Sequence, residues 1–233
     1  MPFSAHMIRL ELITDCYGYH RMEEIDMIET AIFDLGDVFV KVDSDRSVRR
    51  LCQRFRRISE KALLKYITNS GLQHRFERGQ IDGRTFYDEL RKESGEDFSY
   101  DYFIEIWQEI FDPIHPMIDL LPDLKERFQL VLLSNTDELH IEYIREQYGF
   151  FHHFDHLIFS YEVGLLKPGV EIFRFAIQRS KSLPEECVFV DDLLENIQAA
   201  KGLGIKGIHF KGYDHFVQEW KKLVGNSLCQ RKG

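Results

Sequence analysis

Cysteine is scarce in this chain: Cys16, Cys52, Cys187 and Cys229 are the only four in 233 residues. No two form a Cys-x-x-Cys pair, so neither a zinc site nor a disulfide framework is indicated, and the usage fits a reducing cytosol. Long apolar runs are missing too; none approaches the about 20 residues that cross a bilayer. The first residues carry Arg9, Glu11 and Asp15 among short apolar pieces, without the continuous apolar stretch of a signal peptide. Positive charge is in deficit, with 30 Lys and Arg against 39 Asp and Glu and a net charge of -9. Such a chain is a poor general binder of phosphate backbones, which removes nucleic acid as the default partner. A small phosphorylated metabolite stays compatible, because a local metal and a lysine hold it against the global charge. The expectation is a cytoplasmic protein with no membrane, nucleic-acid or protein partner. There is no internal repeat and no low-complexity segment.

Apolar residues are plentiful at 44%, enough for a real core. The stretch from Ala31 to Phe33 reads as a short buried strand that stops at a carboxylate, Asp34, with Gly36 two residues on. A strand buried on both faces delivers its last side chain to the carboxyl edge of a parallel sheet, where α/β folds bind ligands. An acid there serves as nucleophile, metal ligand or both. The same design recurs twice. Leu130 to Leu133 ends at Ser134-Asn135, and Cys187 to Val190 ends at Asp191-Asp192. If the three strands are neighbours, their polar ends converge.

Between these strands the pattern is helical from Asp45 onward, with Val48, Leu51, Cys52 and Phe55 at helical spacing. Leu63, Leu64 and Ile67 continue it, and Phe103, Ile106, Trp107 and Ile110 form an aromatic stripe read as core packing, on a helix capped by Ser99. Residues 44–114 are therefore expected to be an all-helical insertion ending near Pro113 and Pro116. From residue 115 strands and helices alternate, which implies a parallel sheet. The fold class is α/β: a Rossmann-like, doubly wound parallel sheet over 28–43 and 115–225, with an inserted helical cap. Residues 1–27 are read as an N-terminal extension outside the fold, disordered or preceding the true start, and 226–233 as a frayed tail.

Three or more carboxylates in a small space raise each other's pKa, and a hard divalent cation relieves the repulsion. Mg²⁺ suits a few carboxylates with a substrate phosphate. Lys167, in a loop followed by Pro168, reaches the same sheet edge as a point charge for phosphate oxygens, alongside Ser134.

In this order and context, Asp34, Ser134, Lys167 and Asp191-Asp192 resemble the four motifs of the haloacid dehalogenase superfamily, chiefly its phosphatases, in the subclass with a helical cap. The phrases Phe33-Asp34-Leu35-Gly36, Glu77-Arg78-Gly79 and Leu133-Ser134-Asn135-Thr136 look closest to a bacterial subgroup that includes α-D-glucose-1-phosphate phosphatase. The resemblance implies that Asp34 attacks phosphorus and forms an aspartyl-phosphate that water hydrolyses. It implies Mg²⁺ held by Asp34, the Gly36 carbonyl and Asp192, with Asp191 as a water-bridged or supporting acid. Ser134, Asn135 and Lys167 are then the phosphate-binding residues, and Asn196 steadies the last motif. Glu77, Arg78 and His74 read either as residues that face the substrate from the cap or as a helix end stabilised by charge and stopped by Gly79.

One position departs from the family. The general acid two residues after the nucleophile is replaced by Gly36. Asp43 is expected to substitute for it, ahead of Asp37, or else the substrate carries a good leaving group such as an anomeric hydroxyl. The expected function is a Mg²⁺-dependent phosphatase of small phosphorylated metabolites, sugar phosphates above all. A non-catalytic phosphate-binding protein and a metal-independent dehalogenase are the alternatives. His152, His153 and His156 are read as a partly buried aromatic loop rather than a metal site.

Overall fold

The computed structural model describes residues 10–14, 20–24 and 28–224. Strands β1 (Leu10–Thr14) and β2 (His20–Glu24) pair antiparallel with each other and join no other described sheet. The other expectations for residues 1–27, and the frayed tail, lie outside the described residues.

β3 (Thr30–Phe33) leads through a tight turn to β4 (Val40–Val42). Five helices follow: α1 (Ser44–Arg54), α2 (Glu60–Asn69), α3 (Leu72–Glu77), α4 (Gly83–Ser94) and α5 (Tyr100–Gln108). Their starts are written locally. The side chains of Ser59, Asp82 and Ser99 accept the backbone N–H three residues on, satisfying an orphan donor of the first turn. The expectation of an all-helical insertion to residue 114 needs one correction. β5 (Phe111–Pro113) runs antiparallel to β4, so the entry to the helical segment is stitched to its exit.

Beyond it come α6 (His115–Ile118), α7 (Leu121–Lys125), β6 (Gln129–Ser134), α8 (Glu138–Tyr148), β7 (His156–Phe159), α9 (Ser160–Val163) and α10 (Val170–Ser180). β8 (Cys187–Asp191), α11 (Leu194–Lys201), β9 (Lys206–His209) and α12 (Tyr213–Val224) complete the chain. Sequence reading had no helix at α12. Its signal is weak alone, since Phe216 and Trp220 become a core stripe only against Phe33, whose ring stacks on Trp220 at 6.2 Å. Among the described residues, no helix is long and apolar enough to cross a membrane.

The central sheet is parallel in the order β7-β6-β3-β8-β9. Alternate residues of each inner strand serve opposite faces. Ala31, Phe33, Leu130, Leu132, Val188 and Val190 pack into one core, which α12 covers. Ile32, Val131, Leu133, Cys187 and Phe189 pack into the other, covered by α10 and α11. Burial on both faces is why these strands read as unbroken apolar runs. The chain builds outward from β3 through β6 to β7, then returns to β8 on the other side. The resulting switch point opens a crevice at the carboxyl ends of β6, β3 and β8.

The helical segment has a core of its own, built on Phe76, Phe86, Phe103 and Trp107, and Leu139 of α8 is part of it. It also rests on α9 through Gly79. At φ +63°, a Cβ on Gly79 would lie 2.1 Å from the Tyr161 carbonyl oxygen. Gly79→Ala is expected to cost about 1–3 kcal/mol for the left-handed backbone alone, with the clash in addition. Urea denaturation measures it; an unchanged midpoint would mean that this seat is not formed in solution.

Candidate active site

Asp34 follows the last residue of β3 and continues its ladder, its N–H donating to the Val190 carbonyl at 2.9 Å. The side chain is therefore aimed from the sheet edge into the crevice, and the residue is 8% exposed. Lys167 meets it there. Its Nζ lies 2.7 Å from Asp34 Oδ1 and 2.7 Å from Asp191 Oδ2, so one ammonium bridges two strand ends. The Lys167 loop is held by Asn135. The Asn135 Nδ2 donates to the Lys167 carbonyl and the Lys167 N–H donates to Asn135 Oδ1, both at 2.9 Å. Asn135 was expected among the phosphate-binding residues. That amide is engaged in positioning Lys167.

Asp191 is fully buried and saturated. Besides Lys167 it accepts the Leu193 N–H at 2.8 Å and the Asn196 amide at 3.0 Å on each oxygen. Asn196 thus steadies the carboxylate directly. Asp192 is half-buried, and its carboxyl makes no ion pair or side-chain hydrogen bond among the described residues. Oxygen atoms of Asp34, Asp191 and Asp192 all lie within 4.8 Å of one another.

Burial pushes the Asp34 carboxyl up to about 7, with the charge of Asp191 adding and Lys167 opposing. Asp192 is raised as well, by burial first and then by Asp191 and Asp37. Burial works against the Lys167 ammonium, but the two carboxylates outweigh it and its pKa rises. Three acids therefore share one cation, and the uncompensated charge is two. Hard carboxylate oxygens with that deficit fit a divalent cation such as Mg²⁺. The residues that could hold it are Asp34, Asp191 and Asp192, with the Gly36 carbonyl nearby in sequence.

A cavity of about 270 Å³ lies between the sheet edge and the helical segment. Gly36, Ser134 and Asn135 line it from the sheet, and Gln73 and Glu77 from α3. Of the cap residues expected to face substrate, Glu77 lines the cavity. Arg78 and His74 are exposed and do not line the cavity, because a helical step of one residue turns a side chain through about 100°. Both expected substitute acids are tied up. Asp43 is paired with Arg49 at 2.6 Å and Arg46 at 3.4 Å, and the Arg49 hydrogen bond holds its carboxyl below the usual range, the wrong direction for a proton donor. Asp37 is paired with Lys41. Sequence reading also missed His140 and Asp45 as lining residues. His140 stands three residues after Asp137, the helical spacing that lets the two side chains meet, at 2.9 Å. Among the described residues, the histidines at 152, 153 and 156 belong to no cluster of three potential metal ligands, and His152 Nδ1 lies 2.7 Å from the Gly149 carbonyl.

Comparison with known proteins places this geometry. Residues 28–204 match the family model of haloacid dehalogenase-like hydrolases. A D-ribitol-5-phosphate phosphatase of Bacteroides thetaiotaomicron is 29% identical over 187 residues, covering 77% of this chain and 90% of that protein. A sesquiterpene phosphatase of Aspergillus oryzae is 27% identical over 205 residues, covering 84% and 97%. Among solved structures, an enzyme of this family from Bacteroides thetaiotaomicron superposes with a TM-score of 0.73 at 26% identity, over 84% of this chain and 98% of that one. The same enzyme has been solved in complex with magnesium and inorganic phosphate, and that structure matches with a TM-score of 0.70 at 25% identity, over 81% and 98%. The chain belongs to the haloacid dehalogenase-like hydrolase family, and it is an enzyme of that family whose curated relatives include the two phosphatases above, each matched over most of its length.

Proposed function

We propose that this chain is a Mg²⁺-dependent phosphatase of small phosphorylated metabolites, with phosphates of sugars and sugar alcohols as its substrate class. The observation that carries the reading is the Asp34–Lys167–Asp191 bridge at the sheet edge, beside Asp192, with Leu35 and Gly36, the residues that follow Asp34, lining the adjoining cavity. The Asp34 carboxylate attacks phosphorus in line, and the P–O bond to the leaving group breaks. Lys167 and Ser134 stabilise the equatorial oxygens as charge spreads over them in the transition state. Water then cleaves the aspartyl-phosphate. When bound, Mg²⁺ would be held by Asp34, Asp192 and the Gly36 carbonyl, with Asp191 supporting, and would neutralise phosphate charge and orient the group.

The substrate class is supported by the polar residues that α3 turns toward the cavity and by the substrate in the name of the D-ribitol-5-phosphate relative. It is also supported by the glycine at 36, shared with the subgroup of α-D-glucose-1-phosphate phosphatases. That glycine equally favours a second reading, a phosphate-binding protein without turnover. Dehalogenase chemistry needs no metal, and the three-acid cluster speaks against it. Phosphate release from a panel of phosphorylated metabolites, with Mg²⁺ and with EDTA, tests the proposal. Mg²⁺-dependent turnover fastest on sugar or sugar-alcohol phosphates is expected. Phosphate binding with no turnover would favour the second reading, and metal-independent halide release from 2-haloacids the dehalogenase.

A further inference from the structure

Breaking a P–O bond to an alcohol needs a proton on the leaving oxygen, and residue 36 has no side chain to give one. The donor must come from elsewhere in the cavity. Three titratable side chains line it: Asp45, Glu77 and His140. His140 is engaged on both nitrogens, Nδ1 at 2.9 Å from Asp137 and Nε2 at 3.1 Å from the Trp107 carbonyl, with its ring stacked on Trp107. Asp45 is solvent-exposed. Glu77 is different. It ends α3, is half-buried, makes no ion pair among the described residues, and takes a hydrogen bond from the Gln73 amide at 2.8 Å.

Its position is also fixed. Two residues on, the Gly79 backbone sits directly against the Tyr161 carbonyl, closer than any side chain allows, so the end of α3 is seated on the core beside the site. We propose that Glu77 supplies the leaving-group proton that residue 36 lacks, acting as general acid in the first step and general base in the second. This rests on the phosphatase reading above. As Asp34 Oδ bonds to phosphorus, the bond to the leaving oxygen breaks and that oxygen takes the Glu77 proton, leaving an alcohol and a Glu77 carboxylate. In the second step water attacks the aspartyl-phosphate and gives a proton to Glu77. The bond from phosphorus to Asp34 breaks, phosphate departs, and the acid is restored.

The electrostatics agree with the geometry. Burial raises the Glu77 carboxyl and Asp137 adds to it, outweighing the Gln73 hydrogen bond, His74 and His140, which oppose. The direction is the one a proton donor near neutral pH requires.

The test compares Glu77→Gln and Asp45→Asn with wild type, in Mg²⁺, on an alkyl phosphate and on p-nitrophenyl phosphate, whose leaving group needs no proton. Glu77→Gln is expected to lose about 100-fold or more in kcat on the alkyl phosphate, to change little on the aryl phosphate, and to lose the alkaline limb of its pH–rate profile. Asp45→Asn should keep that pattern intact. Equal losses on both substrates, no loss on either, or a selective loss in Asp45→Asn instead would each overturn the assignment. If Glu77→Gln folds poorly, Glu77→Ala with added acetate decides. Recovered alkyl-phosphate turnover supports the role and none overturns it. A wild type inactive on both substrates would fail the phosphatase reading itself, a result distinct from all of these.

Discussion

An Asp34→Asn enzyme is expected to release no phosphate above background and, in EDTA at pH 8, to be more stable than wild type. The first half follows from chemistry, since an amide is a poor nucleophile and a neutral ligand. The second follows from burial. The folded-state carboxyl is raised to about 7, whereas an unperturbed Asp titrates near about 4. Between those values the folded protein holds a proton that the unfolded chain has released. Wild-type stability therefore falls as pH rises through that window, and the contribution is fully lost above the folded pKa. The full span is worth up to about 4 kcal/mol, at one pKa unit per about 1.4 kcal/mol. Asparagine has no such proton, so the slope disappears. A cation among Asp34, Asp191 and Asp192 removes the same penalty, so Mg²⁺ should raise the wild-type Tm more than that of the variant. Calorimetry across pH 4–8, with and without Mg²⁺, checks all of this. A variant that melts below wild type at pH 8 in EDTA would contradict the burial argument, and near-normal turnover would remove Asp34 as nucleophile.

Lys167→Met should be as damaging to stability as Asp34→Asn is to chemistry. The Lys167 side chain is 2% exposed and bridges two buried carboxylates. Methionine keeps most of the volume and removes the charge, leaving Asp34 and Asp191 facing each other uncompensated. Breaking a buried pair in this way costs about 3–5 kcal/mol. Turnover should vanish as well, because the equatorial oxygens lose their fixed cation. Mg²⁺ is expected to return part of the stability and none of the activity, since a metal neutralises the acids without replacing the ammonium on the phosphate. Urea titrations in Mg²⁺ and in EDTA separate the two effects. A loss below about 1 kcal/mol in EDTA would mean that water already screens the pair.

What the amino-acid order determined by itself is local. The apolar runs at 31–33, 130–133 and 187–190 carry strand length and double-sided burial, and each stops at a polar residue that marks the site. Ser59, Asp82 and Ser99 write helix starts, and the spacing of Phe103 and Trp107 writes a buried face. These signals are legible because period and capping act over a few residues. Only the tertiary structure decided how the pieces meet. Strand order around β3 makes one site of Asp34, Ser134 and Asp191, though they lie far apart in sequence. The Asn135 amide holds the Lys167 backbone through two hydrogen bonds across 32 residues of sequence. Asp43 is ion-paired because the first two turns of α1 bring Arg46 and Arg49 back onto it. α12 is secured by Phe33, and Glu77 enters the cavity while its neighbour Arg78 faces solvent. Proton affinity and ion pairing depend on desolvation and on partners brought close by packing, and no window of sequence contains either.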